Sequence, residues 1–139
     1  MEQAEKREYL IKTLLAEQPD YRDMEIPKEA GEQKRLLRSL FNVRMPGKIS
    51  EDFLKVQDEY LKEEAKERGI TDLKDLHPIE EGIYLWQGDI TTLRCDAIVN
   101  AANSGMTGCY RPCHNCIDNA IPFSITQERN NFAGGLYFA

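Results

Sequence analysis

The sequence predicts an α/β fold, with helices first and a small sheet after them. Two observations carry that prediction. Apolar residues recur at helical spacing through roughly residues 9–69, and two short apolar runs, Ile83-Tyr84-Leu85-Trp86 and Ala97-Ile98-Val99, each lead into a polar loop. A third observation concerns chemistry: Cys109-Tyr110-Arg111-Pro112-Cys113-His114-Asn115-Cys116 gathers three thiols and an imidazole in one short loop, a concentration of soft metal ligands that core packing does not require.

Taken in chain order, Tyr9 to Ala16 sets Leu10, Ile11, Leu14 and Leu15 on one helix face. Pro27 can open a second helix with Leu36, Leu37 and Leu40 as its apolar stripe. Ser50 can cap a third, which turns Phe53, Leu54, Val56, Tyr60 and Leu61 inward and ends near Gly69, a residue suited to a left-handed cap. The charges between these apolar positions read as solvated faces. Thr71-Asp72-Leu73-Lys74 reads as a short capped turn, and His77-Pro78 as the join, because proline disfavours helix in the residue before it. The runs 83–86 and 97–99, bounded by Gly and Asn, suit strands at the centre of a sheet, and residues 115–121 can begin a helix. The chain has no internal repeat and no low-complexity tract.

A length of 139 residues fits one domain with a modest core. The formal charge of −6 argues against broad nucleic-acid binding, since phosphate backbones are held by surplus Lys and Arg, so an anionic ligand needs local backbone N–H donors. No apolar run approaches the ~20 residues that span a bilayer, and the charged start Met1-Glu2-Gln3-Ala4-Glu5-Lys6 does not read as a signal peptide. The expectation is a cytoplasmic protein with neither a membrane nor a nucleic acid as partner. All four cysteines lie between Cys95 and Cys116, whereas a disulfide-stapled domain spreads them to close long loops; clustering favours metal or redox chemistry.

Asp89, after a glycine at a strand end, can accept a hydrogen bond from an exocyclic amine such as that of adenine. Alone, it reads rather as an Asx turn bonding the backbone two residues on. Asn100 and Asn103 offer donors and acceptors to sugar hydroxyls while the alanines between them allow close approach; Asn-Ala-Ala-Asn by itself is also turn chemistry. Cys109, His114 and Cys116 have the spacing Cys-x4-His-x-Cys, three ligands with a fourth position open, as in a catalytic zinc site. Cys113 is either a fourth ligand of a closed structural site or a bystander. The loop admits two further readings. Cys109-x3-Cys113-x2-Cys116 has the spacing of a four-iron cluster, against which stands Asn115 where an aromatic is usual. Cys113-His114-Asn115-Cys116 has the spacing of a redox pair, against which stands its place after a proline, late in the chain.

In combination, Gly88-Asp89-Ile90, Asp96-Ala97-Ile98-Val99-Asn100-Ala101-Ala102-Asn103-Ser104, Gly108-Cys109 and His114-x-Cys116-Ile117-Asp118-Asn119 resemble the macrodomain signature in its zinc-dependent variant. That subfamily contains protein ADP-ribosyl hydrolases linked to sirtuin-like ADP-ribosyltransferases. Glu32-Gln33, Leu36-Leu37-Arg38-Ser39-Leu40 and Ile49-Ser50 resemble its helical extension, so the likeness covers roughly residues 9–121. It implies an N-terminal helical extension over residues 1–80 followed by the N-terminal part of a three-layer α/β/α macrodomain over 81–121. It implies that Asp89, helped by the Ile90 backbone, recognises adenine, that Asn103 contacts the distal ribose, and that Cys109, His114 and Cys116 hold Zn2+ near that ribose. Asp118 stands where related macrodomains carry an acidic residue that activates water. The implied reaction is hydrolysis of the bond between ADP-ribose and a modified protein, and the implied partner is ADP-ribose or an ADP-ribosylated protein.

After Ile121 the likeness stops, and residues 122–139 read as a divergent tail of the kind a frameshift produces, with Pro122 set to end the helix just begun. With two strand-like runs the expected macrodomain sheet is incomplete, and the family's glycine-rich phosphate loop is not seen, so the chain is expected to have little activity alone. Two alternatives use the same residues: a module that binds ADP-ribose or a partner without turnover, and a structural zinc protein held by Cys109, Cys113, His114 and Cys116. The helical part, roughly residues 1–70, is expected to be the more ordered region, because its helices close short local contacts.

Overall fold

The computed structural model describes residues 1–44, 47–99, 101, 104, 109–117, 119 and 120. Helix α1 (Gln3–Glu17) buries Arg7, Leu10, Ile11, Leu14 and Leu15, a stripe at spacings of three and four that presents one face to its neighbours. Helix α2 (Ala30–Val43) buries Leu37 and Leu40. It begins later than Pro27 suggests. The Glu29 carboxylate caps it by accepting the Glu32 N–H at 2.7 Å, and Pro27 stays outside, where its carbonyl accepts the Gln33 amide at 2.7 Å. A carboxylate at this point satisfies donors that the first turn leaves unpaired, so the cap and not the proline sets the boundary.

Helix α3 (Glu51–Arg68) starts where Ser50 predicts, with the serine hydroxyl accepting the Phe53 N–H at 3.2 Å. It buries Phe53, Gln57, Tyr60 and Leu61, while Leu54 and Val56 are only partly covered. At Gly69 the backbone takes φ +86° and ψ 136°. The positive φ agrees with the expected glycine cap, but ψ lies outside the left-handed helical basin and sends the chain on extended.

The core of the described residues lies entirely within these helices: Leu10, Ile11, Leu14 and Leu15 of α1, Leu37 and Leu40 of α2, and Phe53, Tyr60 and Leu61 of α3. Phe41 meets Phe53 edge to face, with ring centroids 6.4 Å apart. Polar contacts fix the helices against each other. The buried Arg7 donates through Nε to Gln33 Oε1 at 2.9 Å, and Gln3 donates to the Tyr60 carbonyl at 3.0 Å. Burial, with Glu64 close by, pushes the Tyr60 phenol well above its ordinary value. At the rim Arg44 grips Glu17 with two nitrogens, at 2.6 and 3.1 Å, and Lys34 pairs with Glu64 at 2.8 Å.

Past Gly69 the described chain forms two separate two-stranded ladders. Strand β1 (Thr71–Asp72) runs parallel to β4 (Leu93–Arg94), and β2 (Pro78–Glu80) pairs antiparallel with β3 (Ile83–Tyr84) through a turn in which Gly82 has φ +75°. Asp72 caps the 3-10 turn Leu73–Asp75, as the capped turn at this position requires. The expected strand at 83–86 is confined to Ile83–Tyr84, and 97–99 is not a strand. Leu85 and Val99 are 79% and 71% exposed, not central in a sheet. The physical reason is that a strand exists through its ladder, and β propensity at 97–99 supplies no partner. One helical turn begins after Cys116, whose carbonyl accepts the Ala120 N–H at 3.1 Å, in line with the start expected at 115–121. The tail at 122–139 lies outside the described residues. Among the described residues, no helix is long and apolar enough to cross a membrane.

Candidate metal centre

Residues 111–114 form a hydrogen-bonded turn: the His114 N–H donates to the Arg111 carbonyl at 3.2 Å, with Pro112 second and Cys113 third. Proline pre-sets φ at the second position, and the third takes φ +49° at Cys113, a left-handed value uncommon for a residue with a side chain. The turn folds the loop back on itself. His114 Nδ1 lies 3.5 Å from Cys109 Sγ and 3.0 Å from Cys116 Sγ. The three donor atoms fall within 4.8 Å of one another, each on a partly buried residue.

These residues fit a zinc ion. A tetrahedral centre with Zn–S near 2.3 Å and Zn–N near 2.0 Å separates its sulfur and nitrogen ligands by about 3.5 Å; the Cys109–His114 spacing equals this, the Cys116–His114 spacing of 3.0 Å is shorter and would have to open on binding, and the donor set is one that zinc accepts. Cys113 is not in this group. Its Sγ sits 3.1 Å from Ser39 Oγ and 3.5 Å from the Arg35 carbonyl on α2. A zinc ion held by these three residues alone would keep a fourth position open, the pattern that distinguishes catalytic from closed structural zinc sites.

A frame of hydrogen bonds surrounds the loop. Arg38 donates to the His114 carbonyl at 3.2 Å and to Asn119 Oδ1 at 3.3 Å. Asn119, only 1% exposed, donates in turn to the carbonyls of Cys109 and Arg111, both at 3.2 Å. Asn42 accepts the Cys113 N–H at 3.1 Å. Motif reading did not single out Arg38, Ser39, Asn42 or Asn119 as functional. Two signals were available: Arg38, Ser39 and Asn119 fall in segments that carry the family resemblance, and positions 35, 38, 39 and 42 share a helical spacing beside the leucines of α2.

The polar loop after β3 is also tied down. Asp89 caps the 3-10 turn Ile90–Thr92, accepting the Thr91 N–H at 2.9 Å and the Thr91 hydroxyl at 2.7 Å on Oδ1, while Oδ2 lies 3.4 Å from Arg68. The Asx-turn geometry is therefore present. It does not exhaust a carboxylate, which offers about four acceptor directions. Partial burial pushes the Asp89 carboxyl upward, but the two Thr91 hydrogen bonds and the Arg68 charge outweigh it and hold the group below its ordinary value. Before this turn, a Cβ at Gly88 would land on the Trp86 indole, so glycine is the residue that lets the ring lie there. Asn100, Asn103 and Asp118 lie outside the described residues.

This geometry defines an α/β protein with a Cys-His-Cys group that could hold a metal ion. No protein-family model matches the chain. It is similar to a protein from Treponema medium named protein-ADP-ribose hydrolase, 54% identical over 139 residues that cover 96% of this chain and 53% of the relative. A Staphylococcus aureus protein of the same name is 46% identical over 115 residues, 82% of this chain and 43% of the relative. A Fusarium oxysporum f. sp. cubense protein named probable bifunctional ADP-ribose hydrolase/ADP-ribosyltransferase is 40% identical over 104 residues, 67% of this chain and 17% of the relative. The chain is thus a homologue of proteins named protein-ADP-ribose hydrolase, and it spans about half the length of the first two.

Proposed function

We propose that this protein is a zinc-dependent macrodomain hydrolase that removes ADP-ribose from modified proteins. The observation that carries the reading is the Cys109–His114–Cys116 group, found in a chain 54% identical to a protein-ADP-ribose hydrolase. Residues 1–80 are the helical extension and 81–121 the N-terminal part of the macrodomain. Cys109, His114 and Cys116 would hold the zinc, which would supply Lewis acidity to a hydroxyl or a water of the reaction. Asp89 accepts the adenine amine beside the Ile90 backbone, Asn100 and Asn103 hydrogen-bond the ribose hydroxyls, and Asp118 takes a proton from the attacking water. The name of the Fusarium relative joins an ADP-ribose hydrolase to an ADP-ribosyltransferase, which supports a role in reversing that modification and a link to such a transferase.

The Treponema and Staphylococcus relatives are about twice as long as the matched segment, and on this reading these 139 residues turn over substrate slowly by themselves. The test is release of ADP-ribose from an ADP-ribosylated protein by the purified chain and, in parallel, by the Treponema relative. Release by the relative that stops on chelation, with slow release by the chain and none by its Cys116→Ser variant, is the expected result. Release indifferent to chelation, or no release from either protein, contradicts the proposal.

A further inference from the structure

We propose that the polar face of α2 is the docking frame of the metal loop: Arg38 and Asn42, with Asn119 at the loop's end, are positioning residues that hold the ligand backbone ready for a divalent cation. Metal binding is thereby coupled to the helical bundle. The inference rests on the zinc reading above and assigns residues that reading leaves out.

Each ligand residue has its carbonyl held. Cys109 O accepts from Asn119 Nδ2 at 3.2 Å, His114 O from Arg38 Nη2 at 3.2 Å, and Cys116 O from the Asn119 and Ala120 N–H groups, both at 3.1 Å. Asn119 is fully buried, and both ends of its amide are used, since Oδ1 receives Arg38 at 3.3 Å. Between the ligands lies Cys113, whose positive φ makes the turn that returns His114 toward Cys109. That residue is pinned from α2 at two points, its N–H on Asn42 at 3.1 Å and its thiol against Ser39 at 3.1 Å.

Positions 35, 38, 39 and 42 are spaced i, i+3, i+4 and i+7, so one face of α2 supplies the contacts to Cys113, the His114 carbonyl and the Asn119 side chain while Leu37 and Leu40 enter the core. The loop thus rests on a helix whose other side is fixed by packing. Groups that hold metal ligands from outside govern affinity by keeping the donors oriented, and losing them typically weakens binding about 10- to 100-fold. A cation that binds only the assembled loop must then stabilise α2 by linkage.

The test is cobalt(II) titration of the whole chain, read by its thiolate charge-transfer and ligand-field absorption, followed by competition with zinc. Arg38→Ala and Asn42→Ala are expected to weaken metal binding about 10- to 100-fold each, with helical circular dichroism unchanged in the metal-free protein. Asn42→Asp keeps the oxygen that accepts the Cys113 N–H and is expected to restore wild-type affinity. Saturating zinc should raise the thermal midpoint of wild type, and raise it less in Arg38→Ala at the same concentration. Affinities equal to wild type in both alanine variants overturn the inference and leave the metal reading standing. A wild-type chain that gives no cobalt spectrum overturns both. Should either alanine variant lose its helices, Asn42→Asp against Asn42→Leu decides: equal affinities in that pair also overturn the inference.

Discussion

The thiol of Cys113 lies 3.1 Å from Ser39 Oγ on α2, while the thiol of Cys116, three residues on, lies 3.0 Å from His114 Nδ1. Two cysteines of one short loop therefore face different surroundings, which bears on the cluster and redox-pair spacings that both share. Because φ at Cys113 is +49°, the position needs a residue that tolerates the left-handed region. Cys113→Gly should keep zinc binding, whereas Cys113→Val, with a β-branched side chain at positive φ, should lower affinity and destabilise the loop by about 1–3 kcal/mol. Zinc titration of the two variants measures the difference.

Trp86 is the single tryptophan of the chain, and its indole occupies the space that a Cβ at Gly88 would need. Gly88→Ala should displace the ring and shift its emission in the folded protein. Identical emission maxima in the two proteins would show that the ring does not lie against Gly88.

Asp89 links the end of α3 to the turn at residues 90–92 through Arg68. Its carboxyl is depressed in the folded state, so its stabilising effect is present above the ordinary carboxylate range and is lost as pH falls through the folded value. The group is 53% exposed, so the effect should be at most about 0.2–1 kcal/mol. Denaturant melts of wild type and Asp89→Ala should differ near neutral pH and converge in acid. If Asp89 also receives the adenine amine, the same variant should weaken ADP-ribose binding by ~1–3 kcal/mol, while ribose phosphate binds both proteins alike. Calorimetric titration with the two ligands separates these effects.

Leu37 is fully buried at the centre of the helical core. Leu37→Ala should cost about 2–5 kcal/mol, and Ser50→Ala, which removes the cap of α3, about 1 kcal/mol. Chemical denaturation followed by helical circular dichroism gives both values, and a cost at Leu37 no larger than that at Ser50 would place the core elsewhere.

The helices were legible because their evidence is local: leucines at spacings of three and four mark α1 and α2, and Ser50 marks the start of α3. The start of α2 was less so, since Glu29 caps it where Pro27 suggested an earlier opening. At 97–99 propensity failed because a strand depends on a distant partner that no local pattern encodes. The grouping of Cys109, His114 and Cys116 could be read since the three lie close in sequence, where type and spacing suffice. Its frame could not, since Arg38 and Asn42 reach the loop across 76 and 71 positions. Those contacts are tertiary: the stripe on α2 and the resemblance at Arg38-Ser39 mark the residues but not what they touch.

Metal content tests the central claim most directly. The zinc-to-protein ratio is measured for wild type, Cys116→Ser and Cys113→Gly, purified together without chelator. A centre held by Cys109, His114 and Cys116 predicts about one zinc in wild type and in Cys113→Gly, and a marked loss in Cys116→Ser. Equal zinc in wild type and Cys116→Ser, or loss confined to Cys113→Gly, would contradict it.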